Sequence, residues 1–217
     1  MVPVTHIVFC DLDGTVTGEE SFVRVLKTFS PALSGVLIPR MISRTMSLRE
    51  GVRAILESIE SRHYPEMLAS VRNTPLRAGF REFVDFLGER GIPIVIVTAG
   101  VEALARTILG GFATRVYGLY GLDLDTGSEY LKVRSGWESE TELVSKPAVI
   151  RHVLEKTGGG VAIAIGDSVT DFEMALACPV VFARDRLPGY LLEEGKSFFP
   201  FGDFFDVMRI LKKSVLA

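Results

Sequence analysis

The sequence predicts an α/β fold in which a doubly wound parallel sheet carries a helical segment inserted after its first strand. Two observations support this prediction. Short apolar runs alternate with helical patterns along most of the chain, which is typical of a parallel sheet covered by helices on both faces. Residues 17–77, in contrast, contain helical patterns and no strand pattern.

Four apolar runs are predicted to be strands of the core sheet. Runs of this length, rich in β-branched residues, are typical of strands buried on both faces. They are Val4–Cys10, Pro93–Val97, Val161–Ile165 and Val180–Ala183. The core helices are predicted at Gly79–Arg90, Glu102–Leu109, Lys146–Lys156 and Thr170–Ala177.

The break in the alternation predicts how the chain is divided. We expect residues 1–16 and 78–217 to form the α/β core, and residues 17–77 to form a helical cap over the carboxyl edge of the sheet. Ser47 followed by Glu50 is a capping-box pattern that predicts the start of a cap helix. The cap helices are predicted at Ser21–Thr28, Leu48–Glu60 and Pro65–Arg72.

A second irregular stretch, residues 118–144, is predicted to form a flap within the core. Two short runs flank Thr126-Gly127, which predicts a β-hairpin. The polar residues 136–142 that follow are expected to be exposed.

Composition excludes several classes of protein. The chain has 217 residues and a net charge of -3 without a basic stripe, so we expect no nucleic-acid partner. No apolar run reaches about 18 residues, and the N-terminus lacks a secretory signal, so we expect no membrane span and a cytoplasmic location. Cys10 and Cys178 are too few for a disulfide framework. The sequence does not indicate an oligomeric state.

Two carboxylates follow the first predicted strand directly. Asp11 and Asp13 stand two residues apart, so their side chains point to the same side of an extended chain. Gly14 allows the backbone to turn sharply after them. Open α/β sheets bind ligands at the carboxyl ends of their strands. Paired carboxylates there can hold Mg²⁺, attack phosphorus or transfer a proton, although acids in this place can also simply cap a turn.

Three further groups stand at predicted strand ends or helix starts. Thr98-Ala99-Gly100 offers a hydroxyl and backbone N–H groups to an anion, or else a plain helix cap. Lys146 opens a helix against the helix dipole, which favours a nearby anionic partner over a solvated lysine. Asp167 and Asp171 are one helical turn apart, so both can face Asp11.

In this order, the four groups resemble the sequence motifs of the haloacid dehalogenase superfamily of phosphotransferases. The resemblance covers essentially the whole chain. It implies a Rossmann-like α/β core with an inserted C1-type cap, and Mg²⁺-dependent hydrolysis of a small phosphorylated metabolite through an aspartyl-phosphate. The matching residues are Asp11-Leu12-Asp13-Gly14-Thr15, Thr98, Lys146 and Gly166-Asp167-Ser168-Val169-Thr170-Asp171.

The resemblance also implies roles for the acids. Asp11 is expected to be the nucleophile, and Asp13 the general acid and then the general base. Mg²⁺ is expected to bind the Asp11 carboxylate, the Asp13 backbone carbonyl and Asp167. Asp171 is expected to bind the ion directly or through water.

The remaining motif residues are expected to hold the phosphate. The resemblance assigns this role to the Thr98 hydroxyl and to the N–H groups of Ala99 and Gly100. Lys146 is expected to offset the negative charge of the acids and the phosphate.

Several stretches further resemble the phosphatases of methionine salvage that act on 2-hydroxy-3-keto-5-methylthiopentenyl-1-phosphate. One departure is that residues 137–145 contain no cysteine, where that group has a Cys-rich segment. Substrate contacts in the flap are therefore expected to differ. The matching stretches are Lys27–Pro31, Ser47–Val52, Gly79–Val84 and Phe182–Asp185.

Phosphoserine phosphatases are the alternative, with a phosphomutase-type phosphotransferase less favoured. Glu20 matches the acid that binds the amino group of the substrate in phosphoserine phosphatases. The cap arginine of that group should fall near Gly51 and is missing there. Arg49 or Arg53 can substitute for it, and Arg49 is predicted to bind substrate together with Glu20.

Overall fold

The computed structural model describes residues 5–216, and within them seven strands form one sheet. The predicted α/β sheet is therefore confirmed, although Val4 of the first predicted strand lies outside the described residues. The strands are β1 (His6–Cys10), β2 (Ile94–Val101), β3 (Gly118–Asp125), β4 (Lys132–Arg134), β5 (Val161–Gly166), β6 (Val180–Ala183) and β7 (Phe199–Pro200).

The order of the strands places β1 in the middle of the sheet. The order is β4-β3-β2-β1-β5-β6-β7, and only the β3–β4 pair is antiparallel among the described strands. Ile7, Val8, Phe9 and Cys10 are fully buried, as expected for a central strand covered on both faces. Whatever follows β1 therefore lies at the centre of the carboxyl edge of the sheet.

Ten α-helices surround and extend this sheet in residues 5–216. None of them is long and apolar enough to cross a bilayer. Those between β1 and β2 are α1 (Ser21–Phe29), α2 (Pro31–Ile42), α3 (Leu48–Leu56) and α4 (Tyr64–Val71). The others are α5 (Phe80–Gly88), α6 (Glu102–Leu109), α7 (Lys146–Thr157), α8 (Phe172–Ala177), α9 (Leu187–Glu193) and α10 (Phe204–Ile210).

Residues 17–77, here named the cap segment, contain α1 to α4 and no strand of the sheet. The capping box that predicted the start of α3 is present, because Ser47 Oγ accepts a hydrogen bond from the Glu50 backbone N–H at 3.1 Å. Helix α2 was not predicted. Its sequence is apolar on nearly every side, with Val36 and Ile42 exposed, so it lacks the one-sided stripe by which a surface helix is recognised.

One arginine ties together the two connections between the cap segment and the sheet. The Arg77 guanidinium donates hydrogen bonds to the carbonyls of Gly14, Thr15 and Thr17, the last two at 2.7 and 3.0 Å. Thr17 and Leu76 also form an antiparallel bridge. The outgoing and returning chains are thus held side by side, directly after the Asp11–Gly14 loop.

Residues 118–144, here named the flap segment, contain the predicted hairpin. Strands β3 and β4 pair antiparallel, with Leu124 opposite Val133, which confirms the hairpin. The flap segment is joined to the cap segment by main-chain hydrogen bonds, from Ser61 N–H to the Glu129 carbonyl (2.8 Å) and from Arg49 N–H to the Thr141 carbonyl (2.9 Å). The two segments therefore contact each other over one side of the sheet edge.

Strand β2 differs from its predicted length. It continues to Val101, and α6 begins at Glu102 as predicted. The pairing with β3 shifts between Val97 and Val101, which is the irregularity expected of a β-bulge. Thr98-Ala99-Gly100 consequently lies in the bulged end of a strand and not at the first turn of a helix.

Candidate active site

A buried lysine links two acids at the centre of the sheet edge. Asp11 follows β1 directly and is 4% exposed, and Lys146 is 1% exposed. The Lys146 ammonium donates hydrogen bonds of 2.5 Å to one oxygen of Asp11 and one oxygen of Asp171. Buried charges persist only when they are paired in this way, so the three side chains form one electrostatic unit.

The placement of Lys146 explains an unfavourable feature of the sequence. It is the first residue of α7, where Ser145 caps the helix and Pro147 occupies the first turn. Burial alone would lower the pKa of Lys146, but the carboxylates of Asp11 and Asp171 outweigh burial and raise the pKa above its usual value. The lysine is therefore charged, and its anionic partners offset the repulsion by the helix dipole.

Both oxygens of Asp171 already accept hydrogen bonds. Oδ1 accepts from Lys146, and Oδ2 accepts from the backbone N–H groups of Asp167 (2.9 Å) and Ser168 (3.0 Å). There is no room for a side chain at Gly166, because a Cβ there would lie 2.6 Å from the Asp171 side chain. Asp171 thus fixes the turn after β5 and orients Lys146.

Within residues 5–216, only one of the two carboxylate oxygens of Asp167 accepts a hydrogen bond. Its Oδ1 accepts a hydrogen bond from the Thr15 hydroxyl at 2.7 Å. Gly14 adopts a φ of +85°, and a Cβ at Gly14 would collide with the Asp167 carboxylate. Burial, together with the charge of Asp171, raises the pKa of Asp167 to about 7. This carboxylate is therefore short of positive charge.

Three acids are close enough to share a metal ion. Carboxylate oxygens of Asp11, Asp167 and Asp171 lie within 4.8 Å of one another. Burial, and next the charge of Asp171, raise the pKa of Asp11 well above its ordinary value. With Lys146 as their partner, three ionised acids carry an excess of two negative charges, which a divalent cation would cancel. All-oxygen donors suit Mg²⁺, so the residues fit this ion.

The free oxygens indicate which acids would bind the ion directly. Within residues 5–216, Oδ2 of Asp11 and Oδ2 of Asp167 accept no hydrogen bond, whereas both oxygens of Asp171 do. Asp11 and Asp167 are therefore the acids with unshared oxygens for coordination.

Asp13 stands apart from this cluster. One of its oxygens accepts hydrogen bonds from the Ser21 hydroxyl and from the Phe22 backbone N–H, the latter at 3.2 Å. Burial raises the pKa of Asp13, and the hydrogen bond from Ser21 opposes this shift. The carboxyl group is thus held at the first turn of the cap segment, and its raised pKa favours a role in proton transfer.

The predicted phosphate-holding residues lie beside these acids. Thr98, Ala99 and Gly100 line the same cavity as Asp11 and Asp13. The Thr98 side-chain oxygen accepts a hydrogen bond from the Gly100 N–H at 2.9 Å. The hydroxyl hydrogen of Thr98 therefore remains available as a donor towards the cavity.

A cavity of about 750 Å³ rises from these residues towards the cap segment. Its floor is acidic, and its upper wall is mainly apolar with Lys27, Arg44 and Glu50 as charged members, so one end suits a metal-bound phosphate and the apolar part of the wall suits an uncharged group. The apolar residues lining it from the cap segment are Phe22, Val23, Leu26, Ile38, Met41, Ile42, Met46, Leu48 and Val52.

Glu20 and Arg49, the two cap-segment residues predicted to bind substrate, lie in different places. Glu20 does line the cavity, but its carboxylate is paired with Arg186 at 2.8 Å. Arg49 does not line the cavity, and its guanidinium pairs with Glu138 of the flap segment at 3.0 Å. Arg53 pairs with the same carboxylate at 2.5 Å.

The geometry of α3 explains the position of Arg49. The capping box fixes the start of this helix, and Arg49 and Arg53, four residues apart, share its flap-facing side. Leu48 and Val52 share the side that faces the cavity. Neither arginine can therefore point at the substrate unless α3 rotates.

Sequence reasoning missed two residues near the site, Arg77 and Glu142. Arg77 holds the carbonyls that follow Asp11, as described above. Glu142 lies in the polar stretch predicted to be exposed, yet it is half-buried and lines the cavity. Its position beside the buried pair Leu143 and Val144 was the available signal.

Residues 8–176 match the model of the family described as haloacid dehalogenase-like hydrolase. The chain belongs to this family. It is 45% identical over 210 residues to the 2-hydroxy-3-keto-5-methylthiopentenyl-1-phosphate phosphatase of Microcystis aeruginosa, which covers 96% of this chain and 98% of that protein.

The named relatives identify the kind of enzyme. The chain is 32% identical over 213 residues to the phosphatase of the same name from Geobacillus kaustophilus, covering 95% of this chain and 96% of that protein. A structure of a phospho-aspartyl intermediate analogue of phosphoserine phosphatase shares the fold, with a TM-score of 0.71 and 15% identity over 97% of this chain and 98% of the other. The chain is a phosphatase of the haloacid dehalogenase-like family.

Proposed function

We propose that this enzyme hydrolyses 2-hydroxy-3-keto-5-methylthiopentenyl-1-phosphate to the free alcohol and inorganic phosphate, with Mg²⁺ as its cofactor. The observation that carries the proposal is the cavity, which joins a buried acid–lysine cluster to an apolar wall. The name of the substrate describes a matching molecule, with a phosphate on carbon 1 and a methylthio group on carbon 5.

Asp11 begins the reaction. The Asp11 carboxylate attacks phosphorus in line, the new P–O bond forms on Asp11, and the bond to the substrate oxygen breaks. Asp13 protonates the departing oxygen, and its raised pKa supports this role. Asp13 then takes a proton from the water that hydrolyses the aspartyl-phosphate.

Mg²⁺ would be held by Asp11 and Asp167, with the Asp13 backbone carbonyl as a third ligand. Asp171 would act on the ion through water, since both of its oxygens already accept hydrogen bonds. When bound, the ion supplies positive charge to the transferring phosphoryl group.

The phosphate oxygens are held by neutral donors and one cation. We assign this role to the Thr98 hydroxyl, to the Ala99 N–H and to Lys146, whereas the Gly100 N–H, which was predicted to share it, already donates to the Thr98 side-chain oxygen. The ammonium of Lys146 is fixed by Asp11 and Asp171, so it needs no reorganisation when charge develops on the phosphate.

The apolar wall supports the methylthio substrate. Met41 lies directly over Gly51, where a Cβ would collide with the Met41 sulfur. Met41 thus fills the space in which a side chain at position 51 would stand, and it lines the cavity. Burying a methylthio tail against such a wall is favourable by about 25 cal/mol per Å².

Phosphoserine is the second candidate because Glu20 lines the cavity. Its carboxylate could bind an amino group, but it is already paired with Arg186. Arg49 and Arg53, the predicted substitutes for a carboxylate-binding arginine, are both engaged by Glu138. Arg44 does line the cavity, where its guanidinium lies over the Tyr190 ring. Because Glu20, Arg49 and Arg53 are all paired already, we place this substrate second.

We also propose separate roles for the core, the cap segment and the flap segment. Residues 1–16 and 78–217 form the core that carries the chemistry, and the cap segment selects the leaving group. The flap segment, residues 118–144, supports the cap segment through main-chain hydrogen bonds. The cytoplasmic location stays a prediction.

The test is phosphate release from a panel of phosphomonoesters, with Mg²⁺ and with a chelator. The panel contains the methylthiopentenyl ester, phosphoserine and sugar phosphates. We expect release from the methylthiopentenyl ester to exceed all others and to fall at least about 100-fold with chelator. A rate of phosphate release that is unchanged by the chelator would contradict the proposed metal site. Faster release from another ester would contradict the proposed substrate.

A further inference from the structure

Glu142 is a carboxylate in the active-site cavity that the reaction described above does not use. It lies in the flap segment, four residues before Lys146, and lines the cavity with Asp11 and Asp13. Within residues 5–216 its carboxylate takes part in no hydrogen bond and no ion pair. Burial raises the pKa of Glu142, and the charge of Lys146 opposes that shift.

The backbone around Glu142 is fixed on both sides. The Glu142 N–H donates to the Ser139 hydroxyl at 3.0 Å, and the Glu142 carbonyl accepts from the Ser139 N–H at 2.9 Å. The Thr141 carbonyl accepts from the Arg49 N–H, and Leu143 is buried. The Glu142 side chain is therefore presented to the cavity by a rigid turn before any ligand binds.

Within residues 5–216 no cation is paired with Glu142, although Lys27 and Arg44 line the same cavity and Arg186 is paired with Glu20 there. The ammonium of Lys146 is shared by Asp11 and Asp171, and Arg49 and Arg53 are held by Glu138. An unpaired acid in a cavity that binds a phosphate works against that binding. The carboxylate favours binding only when the ligand itself donates a hydrogen bond to it, because this bond replaces the one from the water that the ligand displaces.

We propose that Glu142 recognises the leaving group, through a hydrogen bond with a hydroxyl on the carbon next to the phosphate-bearing carbon. This inference rests on the proposed function. The name 2-hydroxy-3-keto-5-methylthiopentenyl-1-phosphate places a hydroxyl on carbon 2, adjacent to the reacting end. Glu142 lies in the same cavity as the acids of the reacting end, and the apolar wall takes the tail.

The ligand class is thus a phosphate monoester with a neighbouring hydroxyl. The hydroxyl donates a hydrogen bond to the Glu142 carboxylate, and no covalent bond changes. A substrate without this hydroxyl leaves the half-buried acid unpaired, so the enzyme discriminates against that substrate in the manner of a site built to bind a hydroxyl.

The experiment compares 2-hydroxypropyl phosphate with propyl phosphate, which differ only in the hydroxyl. The ratio of their kcat/KM values cancels any general effect of charge on phosphate binding. We expect wild type to prefer the hydroxylated ester, and Glu142→Ala to reduce the ratio about five- to tenfold. Glu142→Gln keeps hydrogen-bonding atoms and should retain most of the preference.

Two further variants separate the loss of the Glu142 contact from a loss of folding. Glu140→Ala removes an exposed acid from the same turn and should leave the ratio unchanged. If Glu142→Ala does not fold, Glu142→Met fills a similar volume without polar atoms and gives the same comparison. A wild-type enzyme without preference, or an unchanged ratio in a folded Ala or Met variant, would overturn the role of Glu142.

A different result would show that the proposed substrate is wrong. It would appear as absent turnover of the methylthiopentenyl ester by wild type, whereas the ratio of the two propyl esters reads the role of Glu142 by itself.

Discussion

The floor of the cavity and its upper wall are built in opposite ways. At the floor, buried charges are tied to one another, as in the hydrogen bonds of Lys146 to Asp11 and Asp171. The wall from the cap segment presents apolar side chains such as Met41 and Val52, whose contacts have no direction. The floor therefore fixes one reaction geometry, and the wall selects a leaving group by shape and hydrophobicity.

The two regions should also respond differently to substitution. Removing one partner of a buried ion pair typically costs about 3–5 kcal/mol, whereas an exposed pair contributes about 0–1 kcal/mol. Lys146 and Asp171 form a pair of the first kind, and Arg49 and Glu138, which join cap and flap segments, a pair of the second kind.

The largest effect is expected for Asp11→Asn. The amide keeps the shape of the side chain but cannot attack phosphorus, so kcat should fall about 10³-fold or more. Because the cluster carries excess negative charge, the variant should fold with a melting temperature close to that of wild type. The control Asp125→Asn changes an exposed acid paired with Arg134 outside the site. Hydrolysis by Asp11→Asn at the wild-type rate would refute covalent catalysis.

The acid cluster should make the metal-free protein sensitive to pH. The folded pKa of Asp167 is raised to about 7, above the ordinary value of about 3.9. A pKa raised by folding means that stability is greatest at low pH and is lost as pH rises through the folded pKa.

Between about pH 4 and pH 7, the free energy of unfolding of the metal-free protein should therefore fall by about 3 kcal/mol, or roughly 6–12 °C in Tm. Mg²⁺ should reverse the loss at pH 7 because it binds the ionised cluster. Thermal denaturation at several pH values with and without Mg²⁺ measures both effects. A stability that rises steadily from pH 4 to pH 7 without metal would contradict the charge excess.

The cap wall gives a smaller and more selective effect. Met41→Ala removes apolar surface over Gly51, so KM for the methylthiopentenyl ester should rise about tenfold, which equals about 1.4 kcal/mol. A short ester such as propyl phosphate should be unaffected. Met41→Leu conserves volume and serves as the control. Equal losses for both esters would place Met41 outside the selection of the tail.

The smallest effect is expected for Arg49→Ala. Its guanidinium is half-exposed and pairs with Glu138, so stability should change by less than about 1 kcal/mol. The kcat/KM value should stay within about threefold of wild type, as for Arg62→Ala, an exposed control paired with Glu60. A rise in KM of tenfold or more would restore Arg49 as a substrate contact.

The core was predictable because its signals are local. Asp11 and Asp13 follow an apolar run, and strand ends of a parallel sheet meet at one edge whatever the rest of the chain does. Residues 161–165 and 180–183 were recognised by the same rule, and the structure places them in β5 and β6. The fold and the grouping of the acids could therefore be predicted from the sequence.

The cavity wall was less predictable because it depends on which side of each helix faces inward. The pattern of α3 gave its start at Ser47, but not that Arg49 would face the flap segment and Leu48 the cavity. Helix α2 lacks a polar side and was missed. Glu142 was assigned to solvent because its burial comes from the distant cap segment, through contacts such as Arg49 N–H to Thr141.

One measurement tests the contrast between floor and wall most directly: the ratio of kcat/KM for 2-hydroxy-3-keto-5-methylthiopentenyl-1-phosphate to that for phosphoserine, on one preparation with saturating Mg²⁺. An apolar wall and an engaged Glu20 predict a ratio of about 100 or more, equivalent to about 2.7 kcal/mol. A ratio near or below one would show that the wall does not select the apolar tail. The enzyme would then recognise the charged amino and carboxylate groups of phosphoserine instead.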